Sequence, residues 1–460
     1  MPNSVPEIQK AMLKEIGVDT IEDLYSNVIP DELRFKGKMN IPEPIMSEAE
    51  LSRHVNGLLN KNTSCSENIN FLGAGCYQHY IPALCDEVAN RSEFLTAYCG
   101  DTYSDHGKMQ AIFEYASMMG ELLDMDIVSY TTYDGGQAAC SAMRMALRIE
   151  KGKKEILVPS TMNPEILSQA KNYIKSVGEV KKVKADKNGC MDLEHLEKQL
   201  KSGNAAAVFF ENPSYLGFVE KKAEDIVKLA HKYGTICIVM PEVTSLGIME
   251  APANYGADLV CGEIQPLGMH LQMGGGCGGF IASSDDERYI QQYPTYLCGI
   301  APTDKEGKFG WGRALNYRCS HGSRENANEY FGTESGLWAI VAGVYLASMG
   351  PQGMKELAET IMQRTAYAQK ELRAIPGVKV NPSGAVNYQE FVVDFNATRM
   401  KVSHINEKLL DYHIFGGKDL SNDFPEMGQC ALYCCSEMTG TEEIKSLKEA
   451  LEKVLGGAAK

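Results

Sequence analysis

The feature that most constrains this chain is an alternation of helix and strand patterns that begins near residue 110. An amphipathic helical pattern covers residues 109–125, and another helix pattern over 223–233 ends at Gly234. Such alternation is typical of a mostly parallel sheet covered by helices, with binding sites beyond the carboxyl ends of the strands. The sequence therefore predicts an α/β fold, with strands at KEILVP (154–159), AAAVFFENP (205–213), TICIVM (235–240) and ADLVCGE (257–263).

Different patterns flank this region and predict a chain of three parts. Helical periodicity over 6–16 and 47–59, with Ser47 and Glu50 as a possible capping box, predicts an N-terminal arm over residues 1–90. Two long helices, 337–349 and 353–374, are followed by strand-like segments and a closing amphipathic helix over 442–454. We therefore expect a large domain over 91–335 and a small α+β domain over 336–460.

Charge and composition narrow the possible partners and compartments. The formal net charge of -15 argues against nucleic acid or an anionic membrane as the main partner. The N-terminus lacks a basic segment followed by an apolar stretch, and the longest apolar run is far shorter than the roughly 20 residues of a membrane helix. The 14 cysteines contain no Cys-x-x-Cys pair and the 9 histidines form no metal-binding pattern. We expect a cytoplasmic protein with reduced, buried thiols.

A glycine pair lies directly before a predicted helix. The segment YDGGQAA (133–139) follows apolar IVSYTT and precedes CSAMRMALRIE. Gly135 and Gly136 let the backbone approach a ligand, and the helix N-terminus offers N–H groups to an anion. Most such pairs are simple turns. At this position of an α/β sheet, however, fold-type I enzymes hold the phosphate of pyridoxal phosphate (PLP).

The chain resembles subunit 1 of the glycine cleavage system P-protein along nearly its whole length. The resemblance implies a fold-type I PLP-transferase, paired as an (αβ)2 heterotetramer with a subunit 2 that carries the PLP lysine and binds most of the cofactor. It also implies glycine decarboxylation, with the aminomethyl group passed to the lipoyl arm of H-protein. The matching segments are FLGAGCYQHYIP (71–82), SEFLTAY (92–98), MQAIFEYASMMGELLDMD (109–126), YDGGQAA, NPSYLGFVE (212–220), SLGIMEAPANYGADLVCGEIQPLG (245–268), MGGGCGGFIAS (273–283), EFVVDF (390–395) and SEMTGTEEI (436–444).

The expected position of a PLP lysine can be checked in the sequence. That lysine would lie after the strand at 257–263 and before the glycine loop at 274–279, where the chain reads IQPLGMHLQM. No lysine occurs between Lys232 and Lys305. A Schiff base needs a primary amine, so no internal aldimine can form there. The acid that pairs with the pyridine nitrogen should end TICIVM, but Met240 and Pro241 stand there, with only Glu242 nearby.

Two segments depart from the family pattern. In the loop 98–107, Cys99, Gly100 and Asp101 replace an expected Thr-Pro-Tyr, and one residue is missing. The segment RCSHGSRENANEYFGTE (318–334) matches only in outline. Both are expected near the subunit interface and the pocket mouth. Two alternatives therefore stay open: a diverged pair acting on another small amino acid or amine, and a non-catalytic scaffold or regulatory subunit.

The candidate site residues fall into two groups, and none is predicted to be a catalytic residue or a metal ligand. For each histidine the competing interpretation is an ordinary structural or solvated residue, and for Arg324 it is an interface ion pair. The pocket or channel candidates are Gly75, Tyr77, His79, Tyr98, His106 and His270. The interface or cofactor-proximal candidates are Gly135, Gly136, His321, Arg324 and Thr333.

Overall fold

The computed structural model describes residues 5–26, 28–95, 108–271, 278–315, 317, 319–320, 323–330 and 335–456. The chain divides into two compact units, Met1–Thr63 and Ser64–Lys460. The first unit contains helices α1 (Pro6–Ile16), α2 (Ile21–Ser26) and α3 (Glu48–Leu59), none of which has a buried residue. Ser47 caps α3 by accepting a hydrogen bond from the Glu50 N–H at 3.4 Å, which is the Ser47 half of the predicted capping box.

The second unit contains every strand found in the described residues. Its main sheet has seven strands in the order β2-β8-β7-β6-β5-β3-β4. Strands β4, β3, β5, β6 and β7 are parallel, while β8 is antiparallel to β7 and β2 is antiparallel to β8. The predicted α/β class is thereby confirmed. The strands are β1 (Ile69–Asn70), β2 (Ile127–Val128), β3 (Glu155–Pro159), β4 (Glu179–Val183), β5 (Ala205–Glu211), β6 (Ile236–Met240), β7 (Leu259–Glu263), β8 (Gly279–Ser283), β9 (Leu297–Pro302), β10 (Phe309–Ala314), β11 (Lys379–Val380), β12 (Glu390–Asp394), β13 (Ile414–Phe415), β14 (Lys418–Asp419) and β15 (Cys430–Cys434).

Helices cover both faces of the main sheet. Successive side chains of a strand point to opposite faces of the sheet, so its apolar strands form a core on each side. Val208 of β5 belongs to one apolar core and Phe209 to another. Strand β5 is buried along its whole length, as expected for a central parallel strand. The helices of this unit are α4 (Ala83–Ala89), α5 (Lys108–Leu123), α6 (Gly135–Ile149), α7 (Pro164–Ile174), α8 (Leu193–Leu200), α9 (Ala223–Lys232), α10 (Glu287–Ile290), α11 (Gly336–Leu372), α12 (Val402–Leu410) and α13 (Thr441–Gly456).

The C-terminal part adds a smaller antiparallel sheet in the order β11-β12-β15-β14. Phe391 and Tyr433 from this sheet share an apolar core with Leu447 of α13. Helix α11 is interrupted at Gly350, where φ is +59°, which agrees with the two helices predicted on either side. Among the described residues no helix has the length and apolar character needed to cross a membrane.

Candidate functional site

A cavity of about 220 Å³ lies at the carboxyl ends of the parallel strands. It is bounded by the last residues of three strands, Glu211 of β5, Met240 of β6 and Glu263 of β7. The first residues of α6, Gly135 and Gly136, form another wall. This is the position at which open α/β sheets place their ligands.

A side-chain carboxylate occupies the anion position at the start of α6. The Gly135 N–H donates to Glu263 Oε2 at 2.8 Å. Glu263 Oε1 accepts from the backbone N–H groups of Gln265 at 3.0 Å and Gly278 at 3.2 Å. A Cβ at position 135 would lie 2.9 Å from the Glu263 Cβ, so only glycine permits this close approach. Glu263 therefore fills the place where a phosphate was expected, and burial raises the pKa of its carboxyl to about 7.

Two further carboxyl groups are buried around the cavity. Glu211 Oε2 accepts from the Asn163 N–H at 3.0 Å, and burial, together with the charge of Glu390, raises the pKa of Glu211 to about 8. Glu390 accepts from the Ala74 N–H at 2.6 Å and from the Tyr77 hydroxyl at 2.9 Å. Burial raises the pKa of Glu390 to about 7. This end of the sheet is thus unusually rich in buried acids.

The glycine-rich loop 71–82 is held in place mainly by C-terminal residues. His79 is buried, and its Nδ1 lies 2.8 Å from Glu437 Oε2. Burial alone would lower the pKa of His79, but the hydrogen bond and charge of Glu437 outweigh it and the pKa is raised. Glu437 Oε1 also accepts from the Tyr80 N–H, and the Ser436 hydroxyl donates to the Gln78 carbonyl, both at 2.6 Å. His79 therefore anchors the loop, and it is not one of the residues that line the cavity.

The structure places the predicted site residues in different surroundings. Gly75, Tyr77, Gly135 and Gly136 come together around the cavity. His270 is exposed, and its Nε2 lies 2.8 Å from Asp86 Oδ1. Arg324 is exposed in a short 3-10 turn, Arg324–Asn326. The remaining candidates, Tyr98, His106, His321 and Thr333, lie outside the described residues.

Sequence reasoning missed the acids that dominate this site. Glu211 ends β5 and Glu263 ends β7, and Glu242 follows the end of β6 by two residues. The rule that ligands bind at the carboxyl ends of strands could have marked all three. Glu390 carried no such signal, because it begins a strand of the other sheet and reaches the site only through tertiary packing.

The sheet order and the site position define the fold-type I class of PLP-dependent transferases. Two solved structures share this fold at low identity: a NifS-like protein from Rickettsia africae and a sphingosine-1-phosphate lyase from Burkholderia pseudomallei. Their TM-scores are 0.63 and 0.64, at 15% and 14% identity. The alignments cover 85% of this chain and 99% of the first, and 94% of this chain and 95% of the second.

Within that class, this chain belongs to the glycine cleavage system P-protein family, whose sequence model matches residues 3–451. The "probable glycine dehydrogenase (decarboxylating) subunit 1" of Pyrococcus abyssi is 36% identical over 458 residues, 99% of each chain. The protein of the same name from Bacillus mycoides is 36% identical over 443 residues, 96% of each. A crystal structure of glycine decarboxylase (P-protein) in inhibitor-bound form gives a TM-score of 0.86 at 27% identity, with 98% of both chains covered.

The residues of this cavity do not fit PLP. Pro266 lines the cavity within the stretch where the lysine was expected, and proline has no primary amine. Glu263 already fills the phosphate position, as its three backbone hydrogen bonds show. Asp134 adds a further acidic group to the walls, which would repel the anionic cofactor. No chemical step is therefore assigned to PLP bound in this cavity.

Proposed function

We propose that this chain is the lysine-free subunit of a two-subunit glycine dehydrogenase (decarboxylating). The reaction is decarboxylation of glycine, with transfer of the aminomethyl group to the lipoyl arm of H-protein. Relatives at 36% identity over nearly the whole chain are named subunit 1 of such an enzyme, which implies a second subunit. The observation that carries the proposal is this full-length relationship, combined with a cavity that lacks a lysine.

On this proposal the cofactor and its lysine belong mainly to the partner subunit, in an (αβ)2 assembly. The role of this chain is to shape the pocket, to help steer the lipoyl arm and to stabilise the partner. The anchored loop 71–82 suits such a role, because the pair of buried His79 and half-buried Glu437 fixes its position relative to the C-terminal residues. A loop that is already fixed loses little conformational entropy when it holds a neighbouring pocket wall in place during turnover.

The N-terminal helices support the need for a partner. Ile8, Met12 and Ile16 repeat at every fourth position of α1, and each is between 42% and 57% exposed. Leu51 and Val55 form the same pattern on α3, at 46% and 42% exposure. Apolar stripes at helical spacing are normally buried. Contact with the second subunit would cover them, as expected of an interface.

A second candidate function is favoured by one feature of the sequence. The loop 98–107 replaces Thr-Pro-Tyr of the family with Cys99, Gly100 and Asp101. An acidic side chain there would disfavour a substrate carboxylate and favour an uncharged or cationic amine. The alternative is therefore a diverged pair that acts on another small amino acid or amine.

The test is reconstitution of the two chains with PLP and lipoylated H-protein. We expect release of labelled carbon dioxide from carboxyl-labelled glycine only when both subunits are present. A panel of other small amino acids and amines, assayed with the same complex, distinguishes the alternative. A complex that binds PLP but converts none of these compounds would instead indicate a scaffold or regulatory role.

A further inference from the structure

The loop 71–82 is attached to the small C-terminal sheet at two separate places. Its first half is held by Glu390, the first residue of β12, which accepts from the Ala74 N–H at 2.6 Å. Its second half is held by Glu437, which follows β15 by three residues and accepts from the Tyr80 N–H at 2.6 Å. A change that weakens one attachment can therefore leave the other intact.

The attachment at Glu437 includes a buried histidine. The side chain of His79 is fully buried, and its Nδ1 lies 2.8 Å from Oε2 of Glu437. In this hydrogen bond the imidazole N–H donates to the carboxylate. A positive charge on the ring strengthens the bond, because opposite charges attract strongly where water is excluded. The strength of the attachment therefore depends on the proton of His79.

The other side of the imidazole ring faces an amide that suits both protonation states. Nε2 of Gln389 lies 3.5 Å from Nε2 of His79, so in this orientation the amide donates to a neutral ring. Oε1 of Gln389 is buried and has no hydrogen-bond partner among the described residues. A turn of the amide by 180° exchanges its nitrogen and oxygen, and Oε1 then accepts from the Nε2–H of an imidazolium. The ring can therefore gain or lose a proton without leaving its place.

Two carboxylates act on His79, and both favour its charged form. Burial alone lowers the pKa of His79, but the hydrogen bond and charge of Glu437, with a contribution from the charge of Glu242, raise it above the ordinary value of 6.5. The stabilisation from the charged pair is fully present below pH 6.5 and is lost as the pH rises through the raised pKa. Ionisation of Glu242 opposes this loss and does not cause it.

The remaining titratable groups around the pair are phenols. The ring of Tyr77 meets the imidazole edge-on, with 6.3 Å between the ring centroids. Tyr345 of α11 and Tyr388, which precedes β12, are close enough to Glu437 for its charge to act on their hydroxyls. Burial raises the pKa of all three hydroxyls above the ordinary value of 10, so they stay neutral while His79 titrates.

We propose that His79 and Glu437 form a pH-dependent switch, in which loss of the imidazolium proton loosens the second half of the loop while Glu390 keeps the first half in place. The first half contains Ala74 and Tyr77, which line the cavity, so the cavity wall is kept. The second half contains Tyr80, whose side chain is already 62% exposed. The switch therefore acts at the outer side of the loop.

The test is hydrogen exchange of the full-length chain from pH 6 to pH 10, measured by mass spectrometry at single amides. Each rate is divided by that of an unstructured peptide at the same pH, which gives a protection factor. Protection of the Tyr80 N–H should fall about tenfold over this range, the difference between a hydrogen bond from a charged donor and one from a neutral donor. Protection of the Ala74 N–H should not fall, because Glu390 holds it. A constant protection of Tyr80, or a parallel fall at both amides, overturns the proposal.

Variants identify the group that titrates. His79→Gln keeps a side-chain donor for Glu437, and Glu437→Gln keeps an acceptor for the Tyr80 N–H, but neither retains the charged pair. In both variants the protection of Tyr80 should stay constant with pH. His404→Gln is the matched control and should keep the wild-type fall, because His404 is an exposed histidine whose Nδ1 lies 3.2 Å from Oε2 of Glu407.

A wild-type fall in protection in both His79→Gln and Glu437→Gln also overturns the proposal. If one of the two variants does not fold, the other decides by the same measurement. Hydrogen exchange needs neither turnover nor a second subunit. Its outcome is therefore independent of the proposed decarboxylase function.

Discussion

Replacing Glu211 with glutamine should remove a large pH dependence from the stability of this chain. In the unfolded chain the carboxyl ionises above its ordinary pKa of 4.5, whereas in the folded chain burial holds the proton until about pH 8. Folding therefore takes up a proton between these values. The contribution of this group to stability is fully present below pH 4.5 and is lost as the pH rises through 8.

The size of the effect follows from the rise in pKa. A change from 4.5 to about 8 is a rise of about 3.5, which at 1.36 kcal/mol for each pKa unit is about 5 kcal/mol over the whole range. Glutamine has no titrating proton, yet its side-chain oxygen can still accept from the Asn163 N–H. Relative to wild type, Glu211→Gln should gain up to about 1.4 kcal/mol of unfolding free energy for each pH unit between 5 and 8.

Urea unfolding of the complex at pH 5, 6, 7, 8 and 9 measures this difference. Glu87→Gln serves as the control, because Glu87 is exposed and lies outside the described cavity lining. A constant difference between Glu211→Gln and wild type from pH 5 to 9 would refute the argument. It would mean that Glu211 is ionised in the folded chain.

Three further substitutions, two of them with a matched control, test the site and the interface. Glu263→Ala should free the Gly135 N–H at the start of α6 and the nearby Gln265 N–H, so that inorganic phosphate raises the melting temperature of the variant more than that of wild type. Gly135→Ala should destabilise by about 1–3 kcal/mol through overpacking in urea unfolding, because its Cβ would meet the Glu263 Cβ at 2.9 Å. Gly57→Ala, in α3 with nothing within 4 Å, should stabilise the helix by about 0.5–1 kcal/mol. Val55→Glu should weaken association with the partner by at least tenfold in sedimentation equilibrium, whereas Ala49→Glu, on another face of α3, should not; equal effects would count against an interface there.

Most of the fold could be predicted because its strands and helices have strong local patterns. Strand β6, with the sequence ICIVM, is buried on both faces, and its sequence is therefore one apolar run. The helix predicted over 6–16 matches α1 at both ends. Strand β4 was missed because its sequence EVKKV is that of a charged edge strand with one buried residue. The β9–β10 hairpin was missed because glycines interrupt its pattern and its exposed positions include the apolar residues Ile300, Phe309 and Trp311, so polar and apolar residues do not alternate.

The site was predicted less completely than the fold, for a physical reason. The glycine pair that begins α6 has a local signature, so its place beside the cavity could be foreseen. The occupant of that place could not, because Glu263 lies 128 residues away and meets Gly135 only in the folded chain. The Ala74 and Glu390 contact spans 316 residues in the same way. Long-range polar contacts leave no periodic trace in a single sequence.

On the proposed function, the PLP lysine belongs to the partner subunit and this chain holds no aldimine. The direct measurement is borohydride reduction of the PLP-loaded complex, followed by peptide mapping of both chains by mass spectrometry. We predict a pyridoxyl group on one lysine of the partner subunit, at one for each pair of chains, and none on this chain. A pyridoxyl-lysine in a peptide of this chain, at comparable occupancy, would contradict the account.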